Sequence, residues 1–409
     1  MRILCVPNEW PLPANSGGRI DVWRRLQMLH SSGAQLGLLT WHHPDRDGMP
    51  DAADLAAVQT LCSQVHLRPI LRSAAGLLRR LPHLGTLPSH AASRWAALNK
   101  PALLAWATAF NPDVILLDGL YGVAAARWLA TALGKPWLYR AHNVEHRYMQ
   151  QQQQRATGAV RRLGLGMNLL GLDRLERRTV QQAACVLDIS PSDAVYWRQQ
   201  GAARVQWMPA VVDAGYTAAL ALAAQQPPRW DALYFGNLNT PNNVEAVRWL
   251  VKQVLPCIGQ QPCRIAVAGS KPCQEVRDLV ASDPRLELLA DPPDMAALVG
   301  RARVLLNPVQ AGSGVNLKSV EMLFSTAALV STPAGVQGLP ADAAACFVVQ
   351  AQPAAFAAAL LQALDGSAPT PDALRGRGLA RQAFTPAGVG QVLDAALRAS
   401  AQVAAGAAA

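Results

Sequence analysis

The sequence lacks any apolar run long enough to cross a membrane as a helix. Every long hydrophobic stretch among the 409 residues is interrupted by Gln, Pro or Arg. These interruptions come before about 18 positions, which is the shortest run that spans a bilayer. The opening MRILCVPNEW is interrupted too soon to form the apolar part of a secretion signal and instead predicts a buried strand. We therefore expect a cytoplasmic protein.

Cysteine and histidine are scarce and scattered. None of the seven cysteines belongs to a CxxC pair, and the eight histidines show no HExxH or other metal-binding spacing. His42 and His43 directly follow a predicted strand, where loop residues are more common than metal ligands. Scattered reduced thiols are typical of a cytosolic protein, so we expect no disulfide framework and no bound metal.

Several motifs of common enzyme and binding classes are also missing. There is no GxxxxGK[ST] P-loop, and no GxGxxG follows the first strand, which argues against P-loop and nicotinamide enzymes. No pair of acids is arranged as in a glycoside hydrolase. Aromatic residues are not interleaved with the arginines in a stacking pattern, so we expect no nucleic-acid partner.

Acidic residues are scarce in the first half of the chain. Residues 1–200 hold 22 lysines and arginines against 13 acids, the remainder is nearly balanced, and the net charge is +10. Two basic amphipathic stretches, LRPILRSAAGLLRRLPHLG and RATGAVRRLGLGMNLLG, are typical of segments that lie on an anionic membrane. We expect peripheral binding at the inner face of the cell membrane. A solvated helix face in an arginine-rich chain is the alternative.

What the sequence does contain is a regular alternation of apolar strands and amphipathic helices. The first series includes the strands RILCVP, DVILLD and PWLYRA, and the second includes DALYFG, RIAVAG and RVLLNP. Such alternation predicts parallel sheets with helices on both faces. Ligands of these sheets bind beyond the carboxyl ends of the strands.

This pattern predicts an α/β fold of two Rossmann-like domains facing across a cleft. The first covers residues 1–204 and the second residues 205–384. A connector at 205–230 joins them and is expected to act as a hinge. A last helix, at about residues 385–409, is expected to pack back on the first domain.

The stretch from Asn307 to Leu339 combines small residues with one cation and one acid. Gly312 and Gly314 permit close approach of the backbone to a ligand, and the helix start that follows offers N–H groups to an anion. Lys318 adds a charge suited to a diphosphate, while Glu321 on the same helix face could accept hydrogen bonds from a ribose. The pattern indicates a nucleotide-diphosphate site. An ordinary turn with a surface Lys–Glu pair is the alternative.

The same stretch resembles the nucleotide-sugar motif of GT-B glycosyltransferases of the family 4 type. That motif is G-x-G-x-x-x-K-x-x-E followed by a PVVST strand and a Gly-Leu turn, and here it is matched through ALVSTPAGVQGL. The segments PNEWPLPANSGGRIDVWRRLQML, YRAHNVEH and FGNLNTPNNVEAVRWLVKQVLP resemble further family segments in the same order. The likeness extends from residue 1 to about residue 385, and it is closest to the exopolysaccharide-type group.

The resemblance implies a retaining hexosyltransferase. It would move a sugar from a nucleotide diphosphate to a glycan acceptor, with lipid-linked intermediates of envelope or exopolysaccharide biosynthesis as the expected class. No cofactor or metal is required if Lys318 and backbone amides stabilise the leaving diphosphate. A nucleotide-sugar 2-epimerase and a catalytically silent nucleotide-binding scaffold are the alternatives. The basic first half argues against the epimerase, and retention of Lys318 and Glu321 argues against the scaffold.

The resemblance also assigns the site residue by residue. His142, Lys318 and Glu321 are the expected catalytic residues, with His142 near the transferred sugar or the acceptor. A hydrogen bond within its own loop is the alternative for His142. The implied donor-binding residues are Gly17, Gly18, Gly236, Asn237, Gly269, Gly312, Ser313, Gly314, Val315, Asn316, Lys318 and Glu321.

Neighbouring polar residues are given structural roles. Glu145 and His146 are expected to order the loop that carries the histidine, and Asn242 and Asn243 to cap a helix.

Two positions depart from the family pattern. Ser313 stands where many family 4 enzymes have a first glutamate, and Asn237 follows Gly236 where many have an arginine. Lys318 is therefore the main cation expected at the diphosphate.

Overall fold

The computed structural model describes residues 1–71, 73–156, 158–312, 314–366 and 371–407. Ser313, an expected donor-binding residue, and Arg72, in the first basic stretch, lie outside the described residues. The chain divides into two compact units, Met1–Pro209 with Gly390–Ala409 and Ala210–Val389.

The first unit is built on one parallel sheet. Its strands are β1 (Arg2–Pro7), β2 (Gln35–His42), β3 (Cys62–Pro69), β4 (Val114–Asp118), β5 (Trp137–Ala141), β6 (Cys185–Asp188) and β7 (Val205–Trp207). Its helices are α1 (Gly17–Ser31), α2 (Pro44–Asp47), α3 (Ala52–Leu61), α4 (Ala74–Arg80), α5 (Ser89–Ala96), α6 (Lys100–Phe110), α7 (Val123–Leu133), α8 (Glu145–Arg155), α9 (Ala159–Leu169), α10 (Leu172–Gln182) and α11 (Pro191–Gln199), with short 3-10 turns at Leu81–His83 and Leu120–Gly122. Within the described residues the sheet has seven strands, in the order β3-β2-β1-β4-β5-β6-β7.

The central strands of this sheet are apolar on both faces because helices cover both. Every residue of β4 and β5 is buried, as are all residues of β1 after Arg2. The register places Ile3 of β1 beside Leu36 of β2 and Val114 of β4. Near-continuous apolar strands are typical of parallel sheets, and here they place the ends of β1, β4 and β5 side by side.

The second unit repeats the same plan. Its strands are β8 (Trp230–Asn237), β9 (Ile265–Ser270), β10 (Leu286–Ala290), β11 (Ala302–Asn307), β12 (Ala328–Ser331) and β13 (Val348–Val349). Its helices are α12 (Ala214–Ala223), α13 (Pro241–Trp249), α14 (Leu255–Ile258), α15 (Gln274–Ala281), α16 (Met295–Val299), α17 (Leu317–Met322), α18 (Pro333–Val336), α19 (Ala341–Ala344), α20 (Pro353–Leu364) and α21 (Pro371–Ala380). The last helix, α22 (Pro386–Ala407), begins in the second unit and from Gly390 onward belongs to the first. A π-helical turn, Leu250–Val254, joins α13 to α14, and a 3-10 turn covers Arg381–Phe384.

The two sheets share one strand order. Among the described residues the second sheet has six parallel strands, ordered β10-β9-β8-β11-β12-β13. In each sheet the chain first moves outward from its first strand and then returns to build on the other side of it. Such doubly wound sheets bind ligands where the order reverses, which is at β1/β4 and at β8/β11. The predicted α/β class with two Rossmann-like domains is confirmed.

Some local elements differ from the sequence-based expectations. The connector expected at 205–230 contains β7, which pairs with β6, and the alanine-rich helix α12. β7 has only three residues, too few for a periodic pattern. The first basic stretch is not wholly amphipathic helix, because Leu67, Arg68 and Pro69 are the end of β3. No helix in the described ranges is long and apolar enough to span a bilayer.

Candidate functional site

In the second unit, two glycines open a space beside Lys318. Gly236 of β8 and Gly269 of β9 lie opposite each other in register at the carboxyl ends of their strands. A Cβ on Gly269 would lie 1.7 Å from the carbonyl oxygen of Gly236. A Cβ on Gly236 would lie 3.1 Å from Nζ of Lys318 and 2.9 Å from Nδ2 of Asn243. Gly269 is therefore required for packing, and Gly236 leaves room around the ammonium group.

The Lys318 ammonium group is held by neutral partners. Nζ donates to the hydroxyl of Tyr234 at 3.0 Å and to Oδ1 of Asn243 at 2.9 Å, and it lies 4.3 Å from the Tyr234 ring centroid. In the part of the chain that the structure describes, no carboxylate forms an ion pair with it. Removal from solvent lowers the pKa of Lys318 to about 7, opposed only by the charge of Glu321. A cation in this state is suited to receiving an anion.

The start of α17 is fixed by a buried hydrogen-bond network that the sequence analysis missed. Nδ2 of Asn307, at the end of β11, donates to Oγ of Ser319 at 2.7 Å. Oγ of Ser319 in turn donates to the carbonyl of Gly335 at 2.7 Å. Both polar side chains are fully buried, so the network holds α17 to the end of β11 and to α18. Lys318 is therefore presented from a rigid turn.

The glycine loop ahead of α17 packs closely against a second turn. Gly314 has a φ of 61° and Gly338 a φ of 78°, both in the left-handed region that favours glycine. A Cβ on Gly338 would lie 2.4 Å from the carbonyl oxygen of Gly314 and 3.2 Å from Cγ2 of Val315. Among the described residues, by contrast, a Cβ on Gly312 would have only the carbonyl oxygen of Ala334 within 4 Å, at 3.8 Å. The expected donor-binding loop therefore packs against Gly338 at Gly314 and Val315, and it has free space beside Gly312.

The expectation that Asn242 and Asn243 cap a helix is wrong, because no side chain of the described residues caps α13. Asn243 does not cap α13, since the N-cap is Thr240, and its amide instead links Lys318 to Tyr234 and to the carbonyl of Asn237. Asparagine in the first turn of a helix favours a cap, so the sequence could not reveal this role. Asn316 precedes α17 without a side-chain cap.

The charge at this site comes mainly from the lysine. α17 has only six residues, so its backbone dipole is weaker than the sequence pattern suggested. Glu321 is 9% exposed and lies one turn after Lys318 on the same short helix. The structure brings Gly236, Gly269 and Lys318 together, with Glu321 on the adjoining turn.

In the first unit, His142 is paired with an ionised carboxylate. It follows β5, and its Nε2 lies 2.6 Å from Oδ1 of Asp118 at the end of β4. Arg25 of α1 donates to both oxygens of Asp118, at 2.9 and 3.0 Å, and holds the pKa of that carboxyl far below its usual range. Because Asp118 is ionised, Nε2 of His142 carries the proton and Nδ1 is the acceptor in the neutral ring. His142 therefore bonds to a neighbouring strand end and not within its own loop.

A buried ion network lies behind this pair. Oδ2 of Asp21 accepts from Arg25 at 2.9 Å and from Arg140 at 3.5 Å. The side chains of Arg25 and Arg140 are fully buried, and the two carboxylates balance their charge. Asp21 and Arg25 are four positions apart on α1. Arg25 and Asp118 are 93 positions apart and Asp21 and Arg140 119, which is why no local motif predicted these two contacts.

Glu145 and His146 order the loop, as expected, through one acid on α10. The buried carboxylate of Glu176 accepts from the backbone N–H of Glu145 at 2.7 Å and of His146 at 3.1 Å, and it lies 2.6 Å from Nδ1 of His146. It thereby caps the start of α8 from another helix. Burial and the charge of Glu176 raise the pKa of Glu145 to about 7.

Gly18 and His142 line one cavity of about 430 Å³ in the first unit. Asp118 and Tyr121 also contribute to its wall. Apart from its chain neighbours, no described residue has an atom within 4 Å of the point where a Cβ on Gly18 would be, so glycine here leaves the cavity open and is not required by packing. Gly17 is the first residue of α1 beside it. In the described ranges, no three histidine, cysteine or acidic side chains are grouped so that they could hold a metal ion.

Comparison with known proteins identifies the fold. No family model matches the chain. It is 22% identical over 358 residues to an uncharacterized 44.6 kDa protein in the cps region of Klebsiella pneumoniae, covering 82% of this chain and 84% of that protein.

Solved structures match over nearly the whole chain. Anabaena Alr3699/HepE in complex with UDP has a TM-score of 0.65 at 14% identity, over 97% of this chain and 100% of that one. The same protein with UDP-glucose has a TM-score of 0.64 at 14% identity, over 97% and 99%. The lipopolysaccharide outer core galactosyltransferase WaaB has a TM-score of 0.59 at 11% identity, over 97% and 99%. The chain therefore has the two-domain GT-B fold of glycosyltransferases.

The raised pKa of Glu145 predicts a pH-dependent stability. The folded-state pKa, about 7, lies above the ordinary value of 4.5, so the group stabilises the fold at low pH and this contribution is lost as pH rises through 7. We expect Glu145→Gln to raise the free energy of unfolding relative to wild type by about 1–3 kcal/mol at pH 8, with no gain at pH 4.5. Denaturant titrations at both values measure this.

The matched control is Glu275→Gln, at an exposed position, for which we expect the same difference from wild type at both pH values. If the difference in free energy of unfolding between Glu145→Gln and wild type does not change with pH, the raised pKa of Glu145 is contradicted.

Proposed function

We propose that the protein is a retaining glycosyltransferase that moves a hexose from a nucleoside-diphosphate sugar to a glycan acceptor. The observation that carries the proposal is the Lys318 ammonium group. It lies at the carboxyl ends of a parallel sheet, bonded only to neutral partners, in a space that Gly236 keeps open. Solved proteins of this fold bind UDP and UDP-glucose.

The reaction places its largest charge change on the diphosphate. As the bond from the anomeric carbon to the phosphate oxygen breaks, the electron pair stays on that oxygen. An ammonium group at Lys318 stabilises this charge more strongly in the transition state than in the bound substrate, and so accelerates the step. Glu321, one turn further on, is assigned to the ribose hydroxyls, because a carboxylate accepts their hydrogen bonds and repels phosphate.

His142 is assigned to the sugar or the acceptor. Its ring is oriented by Asp118, and it lines a cavity large enough for part of a ligand. With Nε2–H committed to Asp118, Nδ1 can accept a hydrogen bond from a substrate hydroxyl. Orientation by a buried carboxylate is a common way to prepare a histidine for such a role.

The proposed biological setting is exopolysaccharide biosynthesis, with a lipid-linked acceptor. The relative from a cps region supports that setting. Exposed apolar side chains on two basic helices support contact with the inner face of the membrane. Leu78 on α4 is 65% exposed, and Leu163 and Met167 on α9 are 68% and 59% exposed. Arginines adjoin them on both helices, a combination that suits an anionic bilayer.

Nucleotide binding tests the donor assignment. We expect one of UDP, GDP, ADP, CMP and dTDP to raise the melting temperature of the wild-type protein. Lys318→Met should weaken binding of that nucleotide about tenfold or more, since a charge-assisted contact is lost. The melting temperature of the nucleotide-free variant should not fall, because a poorly solvated cation is removed.

Lys252→Met, at an exposed position of the same unit, is the matched control and should bind as wild type does. Unchanged nucleotide affinity in Lys318→Met would exclude the diphosphate role. Conversion of a nucleotide sugar without any acceptor would indicate the epimerase instead.

The lowered pKa of Lys318 predicts how affinity varies with pH. The free lysine is half-protonated near pH 7, and a bound diphosphate raises its pKa, so binding takes up a proton above pH 7. Nucleotide affinity should therefore fall as pH rises from 7 to 9, by up to about tenfold per unit. Calorimetry across this range measures it. An equal slope in Lys318→Met would assign the proton to another group.

Membrane binding is tested by sedimentation with vesicles. We expect the wild-type protein to bind phosphatidylglycerol vesicles and not phosphatidylcholine vesicles. The double variant Leu163→Ser, Met167→Ser should bind about tenfold less tightly, because apolar area that enters the interface is lost. Leu222→Ser with Leu379→Ser, equally exposed in the second unit, is the matched control. Equal loss in both double variants would contradict a specific surface.

A further inference from the structure

The cavity in the first unit has a strongly basic wall. Among the described residues it is lined by four arginines and three histidines but only two carboxylates, those of Glu9 and Asp118. Glu9 forms ion pairs with Arg19 and Arg46, and Asp118 is neutralised by Arg25. Both acids are therefore already matched. We call this pocket the basic cavity.

Arg94 carries a buried charge in this wall that forms no ion pair with an acid of the described chain. The charge of Glu9 acts on it favourably without direct contact, and Glu9 is itself paired with Arg19 and Arg46. It is 5% exposed; its Nε donates to the carbonyl of Asn8 at 2.6 Å and its Nη1 to that of His90 at 3.0 Å. The guanidinium lies 5.3 Å from the Tyr121 ring centroid. No carboxylate among the described residues forms an ion pair with it, and Nη2 has no partner there. Such a cation is costly to bury unless something fills the site.

A second, independent feature points into the same cavity. Arg94 belongs to α5, whose first residues, Ser89 and His90, also line the wall. The residue before the helix is Pro88, and no side chain caps the first turn. Uncapped N–H groups at a helix start attract negative charge.

The histidines respond to the same excess of positive charge. Burial, followed by the charge of Arg94, lowers the pKa of His43 and of His90 to about 4. Both rings are therefore neutral at pH 7 and can still donate one hydrogen bond each. An anion in the cavity would balance the charge of Arg94 and could accept the hydrogen bonds that the two neutral rings donate.

Resting on the proposed transferase function, we infer that the basic cavity binds a phosphate or diphosphate group carried by the acceptor, with Arg94 as the main cation. Several donors that approach from different elements suit a tetrahedral, multiply charged group better than a planar, singly charged carboxylate. His142 lines the same cavity, so the phosphate would hold the acceptor beside the residue assigned to its reacting hydroxyl.

The edge of the basic cavity suggests the rest of the acceptor. Arg80 of α4 and Asn168 of α9 line it, and these helices carry the exposed Leu78, Leu163 and Met167. A phosphate attached to an apolar chain would find charge in the cavity and apolar contact outside it. A soluble phosphorylated acceptor would use the cavity alone.

Direct binding tests the inference with the donor site disabled. Calorimetry would measure the binding of four compounds to the full-length Lys318→Met variant, which lacks the donor-site cation. They are geranyl diphosphate, inorganic pyrophosphate, geraniol and geranate. We expect both phosphate probes to bind and geraniol and geranate to bind at least about tenfold more weakly. Tighter binding of geranyl diphosphate than of pyrophosphate indicates a lipid acceptor, and equal binding a soluble one.

Two variants assign the binding to Arg94. Adding Arg94→Gln to the Lys318→Met variant should weaken the binding of both phosphate probes about tenfold or more. Adding Ser93→Asp places a carboxylate in the wall beside Arg94; it should raise the melting temperature and abolish phosphate binding. This second variant remains informative if Arg94→Gln does not fold. The matched control is Arg68→Gln, a half-buried arginine that donates to a carbonyl of the same unit outside the cavity.

The outcomes separate this inference from the proposed function. Absence of phosphate binding, equal binding of geranate, or undiminished binding in the folded Arg94 and Ser93 variants would overturn the inference. If wild type binds a nucleotide but no phosphate probe, the transferase proposal stands and the cavity assignment fails. If phosphate binds but no nucleotide does, the cavity assignment stands and the transferase proposal fails.

Discussion

Positive charge without an acid beside it, placed near the carboxyl ends of parallel strands, is the constraint that organises both units. Lys318 is bonded to a phenol and an amide, and Arg94 to two carbonyls. Each costs stability while its site is empty, because a partly desolvated cation lacks compensation. Elsewhere the same chain pairs such charge closely, as Arg25 with Asp118 shows. This contrast is the basis for proposing both cations as ligand-binding groups, since functional sites are often locally unfavourable.

The fold could be predicted from the sequence because it depends on local patterns. Short buried strands alternate with segments in which apolar residues recur at helical spacing, and this alternation determines the fold class. The loop around Gly314 and Lys318 could be found for the same reason, since its spacing is short. The partners of Lys318 could not, because Tyr234 and Asn243 lie 84 and 75 positions away. Likewise the pair of Asn307 and Ser319 belongs to no motif, and β7 is too short to show a period.

Net charge alone does not show what each arginine of the first half does. In the structure the arginines divide into kinds that a sequence does not distinguish: Arg25 and Arg140 are buried and paired, Arg94 is buried and forms no ion pair among the described residues, and Arg79 adjoins exposed apolar side chains. Burial and pairing together determine whether an arginine stabilises the fold, is available to a ligand or contributes to the surface charge. Only surface arginines are relevant to the proposed membrane contact.

The pair formed by Gly236 and Gly269 has a consequence for recognising related proteins. Neither glycine carries chemistry, yet a side chain at Gly269 would meet the neighbouring strand and one at Gly236 would crowd the ammonium group. A distant homologue with a side chain in place of Gly236 could therefore keep the lysine and the overall architecture and still have lost the space beside the ammonium group. Functional and non-functional relatives should therefore be distinguished first by whether both positions are still glycine, and only then by overall similarity.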